Sequence, residues 1–185
     1  MRGRGLFRGG WALDLFLGRV TRRHADIEIG IYRDDQELLR EQLPDWMLAK
    51  AIQTRTGGKW ARRRKNETLK LPIHQVLTTY PHADPPELEF FLNEQWEGEW
   101  ISRRHAGLSR PLKEVWMLSR PGIPIILPEI QLLFKAKYSR IKDHADFELC
   151  LPRLNRDQRD WLARSLHEHH PEHPWLYAIE EVDAV

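Results

Sequence analysis

Gly9-Gly10-Trp11-Ala12-Leu13-Asp14, followed by Leu17-Gly18-Arg19-Val20-Thr21-Arg22-Arg23-His24-Ala25-Asp26-Ile27-Glu28, is the stretch on which the fold turns. Two glycines ahead of a short apolar run offer bare backbone N–H groups at a helix start, a seat for phosphate oxygens. Trp11–Leu17 reads as that short helix, closed by Gly18. Asp26–Tyr32 then alternates acids with Ile27, Ile29 and Ile31, a strand pattern of period two. Residues i and i+2 of a strand share a face, about 6.5–7 Å apart along the chain. Asp26 and Glu28 can therefore stand side by side, the pair that two hard cations about 3.5–4 Å apart require. A third carboxylate on a neighbouring strand would complete a metal cage, and Glu89 has the matching polarity pattern. A lone Asp-x-Glu is usually a solvent-facing edge and a lone Gly-Gly a turn. Their combination with an Arg-rich connection is far more specific.

Outward from this stretch, Asp35–Leu43 reads as a helix ended by Pro44, and Trp46–Ile52 as a strand. Thr54–Asn66 reads as a mobile, basic loop, and Leu71–Leu77 fits strand or helix. Glu87–Asn93 alternates as a strand, with Leu88, Phe90 and Leu92 on one face and Glu87, Glu89 and Phe91 on the other. Trp100–Arg103 is a further short strand, and the proline-punctuated segment 111–128 crosses between subregions. From Glu129 the period turns helical: Glu129–Tyr138, Lys142–Leu151 and Asn155–His169. The expected class is α+β, a mixed sheet flanked by helices with a C-terminal helical part. Residues 1–120 would form the core, with 121–185 a helical region packed on it.

The chain's 185 residues, 41% of them hydrophobic, suit one domain or a domain with an appendage. A single cysteine, Cys150, excludes an intrachain disulfide framework and a multi-thiolate zinc site; between Leu149 and Leu151 it reads as core. The formal charge of +2 argues against a surface that is a nucleic-acid clamp throughout. The charge is unevenly placed, however. Arg55 to Lys65 holds six cations and no acid, and Asp84 to Glu99 six acids and no Lys or Arg. Such blocks permit a polar cleft with basic and acidic walls. No apolar run is long enough to span a bilayer, and the expected setting is cytoplasmic.

With these residues in view, the sequence resembles the polymerase-β-type nucleotidyltransferases, and within them the aminoglycoside and lincosamide branch. Gly9, Gly10, Asp26 and Glu28 match the Gly-Gly and Asp-x-Asp/Glu motif. Leu17, Gly18, Arg19, Thr21, Arg22 and His24 match the connection between its halves. Pro128–Lys137, Lys142-Asp143, Asp146-Phe147 and His173-Pro174-Trp175-Leu176 are similar to the branch's C-terminal helical part. The resemblance implies a nucleotidyltransferase-like mixed sheet. It also implies transfer of a nucleoside monophosphate from an NTP to a hydroxyl of a small molecule, an aminoglycoside- or lincosamide-like antibiotic among the candidates. Asp26, Glu28 and Glu89 would hold Mg²⁺, as many as two ions. Glu89 would bind the second metal, act as base toward the acceptor, or both. Gly9, Gly10, Arg22 and Lys135 would bind the nucleotide. Glu stands at 28 and 89 where the family more often has Asp. The helix and strand that usually precede the Gly-Gly are not both expected from Met1–Arg8.

The partners so implied are an NTP and a small hydroxylated acceptor, with neither nucleic acid nor membrane expected; the oligomeric state is open. The acidic block 84–99 suits a polycationic acceptor. Two alternatives stand beside this reading: an inactive descendant that still binds nucleotide or a partner, and an enzyme that modifies RNA or protein. The basic run from Lys59, with Trp60 as a stacking surface, belongs to the latter. His167, His169, His170 and His173 are expected as a surface helix end, because Pro171 breaks the helical register a metal pair would need.

Overall fold

The computed structural model describes residues 5–105 and 107–183. In chain order the elements are β1 Leu6–Arg8, α1 Gly9–Leu17, β2 Glu28–Tyr32, α2 Leu38–Gln42, β3 Met47–Thr54, β4 Gly57–Arg62, β5 Gln75–Thr79, β6 Glu87–Trp96, β7 Glu99–Ile101 and β8 Ser109–Pro111. Then come β9 Trp116–Leu118, β10 Pro124–Ile126, α3 Pro128–Ala136, α4 Ile141–Cys150, α5 Arg156–His169 and α6 Trp175–Asp183. They fall into two compact units. The first runs up to Arg8 and resumes over His24–Leu112; the second takes Gly9–Arg23 and everything from Lys113 onward.

In the first unit the strands run β4-β3-β5-β6-β2-β1. β2 and β6 are parallel and the other neighbours antiparallel. β7 pairs with the end of β6, and β8 with β7. Alternation sets which face is dry. Phe90 and Leu92 of β6 join Ile31, Leu48 and Val76 from three neighbouring strands, and Leu39 of α2 and Leu69 complete a buried core. The opposite face carries Glu28 of β2 and Glu89 and Phe91 of β6. Strand β2 begins two residues later than its pattern predicts, so Asp26 precedes the ladder.

The expected loop Thr54–Asn66 is largely ordered structure. Gly57–Arg62 pairs with β3 from Thr54↔Gly57 to Ala49↔Arg62, a hairpin in which the ladder satisfies the backbone. Charge had suggested solvation, yet Arg63 is buried. Its guanidinium donates to the Gln36 carbonyl at 3.1 Å, the Glu67 carbonyl at 3.0 Å and the Glu37 carboxylate at 2.5 Å. Gln36 in turn accepts the Leu69 N–H at 2.6 Å, and Arg33 donates to the carbonyls of Leu69 and Ile73 while forking onto Glu94. Segment 63–73 is thus tied to the core by hydrogen bonds its composition does not reveal.

Gly30 is a tight point of this unit. A Cβ there would sit 2.9 Å from Asn93 Nδ2 and 3.8 Å from Arg8 Cδ. The Asn93 amide cannot swing away freely, because it donates to the carbonyls of Ile31 and Phe91. Gly30→Ala is expected to destabilise the protein by about 1–3 kcal/mol, the cost of overpacking. A urea denaturation midpoint equal to wild type would contradict that.

In the second unit, α1 starts at Gly9, whose φ of 68° suits glycine. The Gly9 N–H donates to buried Gln131 Oε1 of α3 at 2.8 Å. Gly18, at φ 73°, closes the helix in the left-handed conformation. Buried Asp14 then accepts the Thr21 N–H at 3.2 Å and its hydroxyl at 2.5 Å, which fixes the connection that follows. Asn155 and Gln158 cap α5 reciprocally at 2.9 and 3.0 Å. Cys150 is fully buried, and burial pushes its thiol up to about 12.

The histidine-rich end is more than a surface helix end. Trp175 stacks on Phe147 with ring centroids 4.3 Å apart, and its indole N–H donates to His144 Nδ1 at 2.9 Å. His173 is buried and its Nε2 lies 2.6 Å from the Ser139 hydroxyl. Burial holds His170 and His173 below the ordinary 6.5. The unfolded chain therefore takes up protons that the fold refuses, so stability is complete above 6.5 and declines as pH falls through it. The urea midpoint is expected to be lower at about pH 5.5 than at about pH 7.5, and His173→Gln should reduce the difference.

Candidate active site

Strand pairing brings the carboxylates of the first unit together. Glu28 of β2 lies directly opposite Glu89 of β6 in the parallel ladder. Neighbouring strands run about 4.8 Å apart, so the two side chains leave the same face as neighbours. Asp26 is exposed just ahead of β2, and the Ile27 carbonyl between them accepts the Glu89 N–H at 2.9 Å. The other acids act on Glu89. Burial pushes the Glu89 carboxyl above the usual carboxylate range, against the Gln75 amide that donates to its Oε2 at 2.9 Å. The negative charges of Asp26, Glu28 and Glu87 add to the rise.

Arg8, which the sequence did not single out, completes the row. It faces Glu28 across the β1–β2 ladder, with Nε 3.6 Å from Oε2. Its guanidinium lies 4.4 Å from the centroid of the Phe91 ring. Burial lowers its pKa to about 10; Glu28 opposes this, while Arg104 and Arg103 add to it. The residue just before the Gly-Gly was the available signal. Gln75 offered none.

Among the described residues, no three His, Cys, Asp or Glu side chains already stand close enough to grip a metal ion together. The donor set nevertheless fits a hard cation. It is all oxygen, it carries mutually repelling negative charge that a cation would relieve, and both glutamates have three rotatable bonds to close with.

In the second unit the predicted nucleotide ligands meet a different arrangement. Lys135 of α3 is buried, with Nζ 3.0 Å from Asp143 and 2.8 Å from Asp146. Arg22 forks onto Asp146 through two bonds of 2.9 Å and keeps a quarter of its side chain exposed. Arg140 closes the cluster at 2.7 Å from Asp143. Burial raises the Asp143 carboxyl, but bonds from Arg140 and Lys135 outweigh it and hold it down at about 2. The Gly9 N–H is committed to Gln131, whereas Gly10 lies in the first helical turn, where N–H groups have no intrahelical acceptor.

A family model for aminoglycoside-2''-adenylyltransferases matches residues 4–76. That span contains the Gly-Gly, the Arg-rich connection and the Asp-x-Glu. The chain resembles the aminoglycoside and lincosamide nucleotidyltransferases. Solved structures agree on the fold. The lincosamide antibiotic adenylyltransferase LnuA, with lincomycin bound, is 19% identical at a TM-score of 0.52, covering 79% of this chain and 84% of that one. The antibiotic-resistance factor ANT(2'')-Ia in complex with adenylyl-2''-tobramycin is 16% identical at 0.51, covering 85% and 83%. Its solution structure matches at 0.52 over 97% of this chain and 86% of that one. No curated protein sequence matches the chain. The fold expected from the resemblance, a nucleotidyltransferase-like mixed sheet with flanking helices, is the fold observed.

Proposed function

We propose that this nucleotidyltransferase-like chain is a metal-dependent enzyme. It would move a nucleoside monophosphate from an NTP to a hydroxyl of a small molecule, with aminoglycosides and lincosamides as the acceptor classes to try first. The observation that carries the reading is the pairing of Glu28 with Glu89, with Asp26 in the same electrostatic field. The likeness to LnuA and ANT(2'')-Ia supports the acceptor classes.

Asp26, Glu28 and Glu89 would hold one or two Mg²⁺ ions, which supply neutralising charge for the triphosphate and its leaving group. Glu89, half-buried and with a raised carboxyl, takes the proton from the acceptor hydroxyl as its oxygen bonds to the α-phosphorus and pyrophosphate departs. Arg8 holds Glu28 in its row by charge and limits its rotamers. The Gly10 N–H and the helix start behind it suit a phosphate oxygen. Arg22, a quarter exposed while it forks onto Asp146, keeps surface to offer a phosphate. Lys135 serves by fixing Asp146, and through it Arg22.

Titrating ATP and Mg²⁺ into the purified protein tests this directly. Saturable binding that requires the metal is expected, and Asp26→Asn should abolish it; no such binding in the wild type would sink the proposal. Labelled NTP offered with aminoglycosides and lincosamides reads transfer. Binding without transfer to any acceptor would identify an inactive descendant, and label appearing in RNA or protein would redirect the assignment.

A further inference from the structure

The outer edge of the first unit's sheet holds a cavity that the carboxylate row does not use. The C-terminal end of α2, the start of β3 and the end of β4 border a half-open cavity of about 880 Å³. Arg40, Arg62, Arg64 and Lys65 line it, with Asp45 as the acid among them and Trp46 on its wall. Arg62, Arg64 and Lys65 are exposed, and among the described residues the side chains of Arg62 and Lys65 form no salt bridge. The main chain that carries them is held in place. Arg40 donates to the Arg64 carbonyl, and the Arg64 N–H donates to Glu67 at 2.9 Å. Trp60, 41% exposed, shares a strand face with Arg62.

A concave site with cations of one sign concentrates anions, and guanidinium forks match phosphate oxygens. The volume lies in the range of small-ligand sites, roughly 300–1,000 Å³. The cations converge on one cavity instead of running along the strand, which favours a compact ligand over a polymer backbone. Three strand spacings separate β4 from β6, about 14 Å, so this pocket is distinct from the Glu28–Glu89 row.

We propose that this pocket binds a small phosphate-bearing molecule as a second ligand, independent of the metal-assisted NTP site. Calorimetric titration with pyrophosphate and with ATP, both in EDTA to remove metal-dependent binding, reads it. Wild type is expected to bind. Arg62→Ala/Arg64→Ala/Lys65→Ala should lose at least about tenfold in affinity with its melting midpoint unchanged, since charge-assisted bonds of this kind carry that much. Asp26→Asn should bind as wild type does. Absence of binding in EDTA, an unaffected triple variant, or loss in Asp26→Asn would each overturn the proposal. Binding of a single-stranded RNA ten-mer but of neither small anion would also overturn it. Because the reaction proposed above is tested with Mg²⁺ and Asp26→Asn, the two can fail separately.

Discussion

Glu89→Gln is expected to slow nucleotidyl transfer by about 10²–10⁴-fold while leaving metal-dependent ATP binding largely in place. Gln keeps the length of the side chain and a carbonyl oxygen that can still accept the Gln75 amide. What it loses is the capacity to take a proton and the negative charge it would offer a metal, while Asp26 and Glu28 keep theirs. The pH profile separates this role from a structural one. Glu89 must be ionised to act as base, so wild-type rate should fall as pH drops through its carboxyl, which lies above the usual carboxylate range. That acid limb should vanish in Glu89→Gln, and Glu89→Asp should recover part of the rate. A Gln variant within about threefold of wild type would remove Glu89 from the chemistry. If its melting midpoint fell as well, the residue would be holding the sheet together instead.

Lys135→Met should be the most destabilising single change in the second unit. Asp143 and Asp146 are almost wholly buried, and Lys135 touches both. Arg140 is more than half exposed and Arg22 reaches Asp146 alone, so neither replaces the lysine at the centre. Removing one partner of a buried ionic cluster strands charge in a poor solvent, at about 3–5 kcal/mol. For a chain of this length the melting midpoint should fall on the order of 10 °C. Adding Asp143→Asn and Asp146→Asn to the Met variant should recover part of the loss, because the buried carboxylates are then neutral and the arginines left, Arg22 and Arg140, reach solvent. A single variant as stable as wild type would show that the cluster is solvated. The depressed Asp143 carboxyl gives the same cluster an acid signature. Its contribution is complete above 3.8 and is lost as pH falls from there toward about 2.

Much of the fold was legible before any coordinates. Period-two alternation placed β2 and β6, and the 3.6 period placed α3, α4 and α5 within a residue or two. The apolar face of Leu88, Phe90 and Leu92 is the one that turns into the core, with Phe90 and Leu92 buried in it. The reading stopped where a residue's environment outweighed its type. Arg63 looked solvated and is buried, because Gln36, Glu37 and Glu67 meet its hydrogen-bonding demands. His173 looked like part of a surface helix end and is packed against Trp175 and Ser139. α6 was not read from the sequence.

The sequence by itself determined the chemistry on offer: a Gly-Gly ahead of a helix, and acids at 26, 28 and 89 on alternating stretches. Local spacing is enough for that, because i and i+2 of a strand must share a face. Only the tertiary structure decided which acids meet and which cations are engaged. Parallel register set Glu89 beside Glu28, and antiparallel register set Arg8 on its other side. Helix packing drew Lys135 into Asp143 and Asp146, away from solvent. Register and packing join residues far apart in the chain, and no local pattern encodes which charge a buried charge will find.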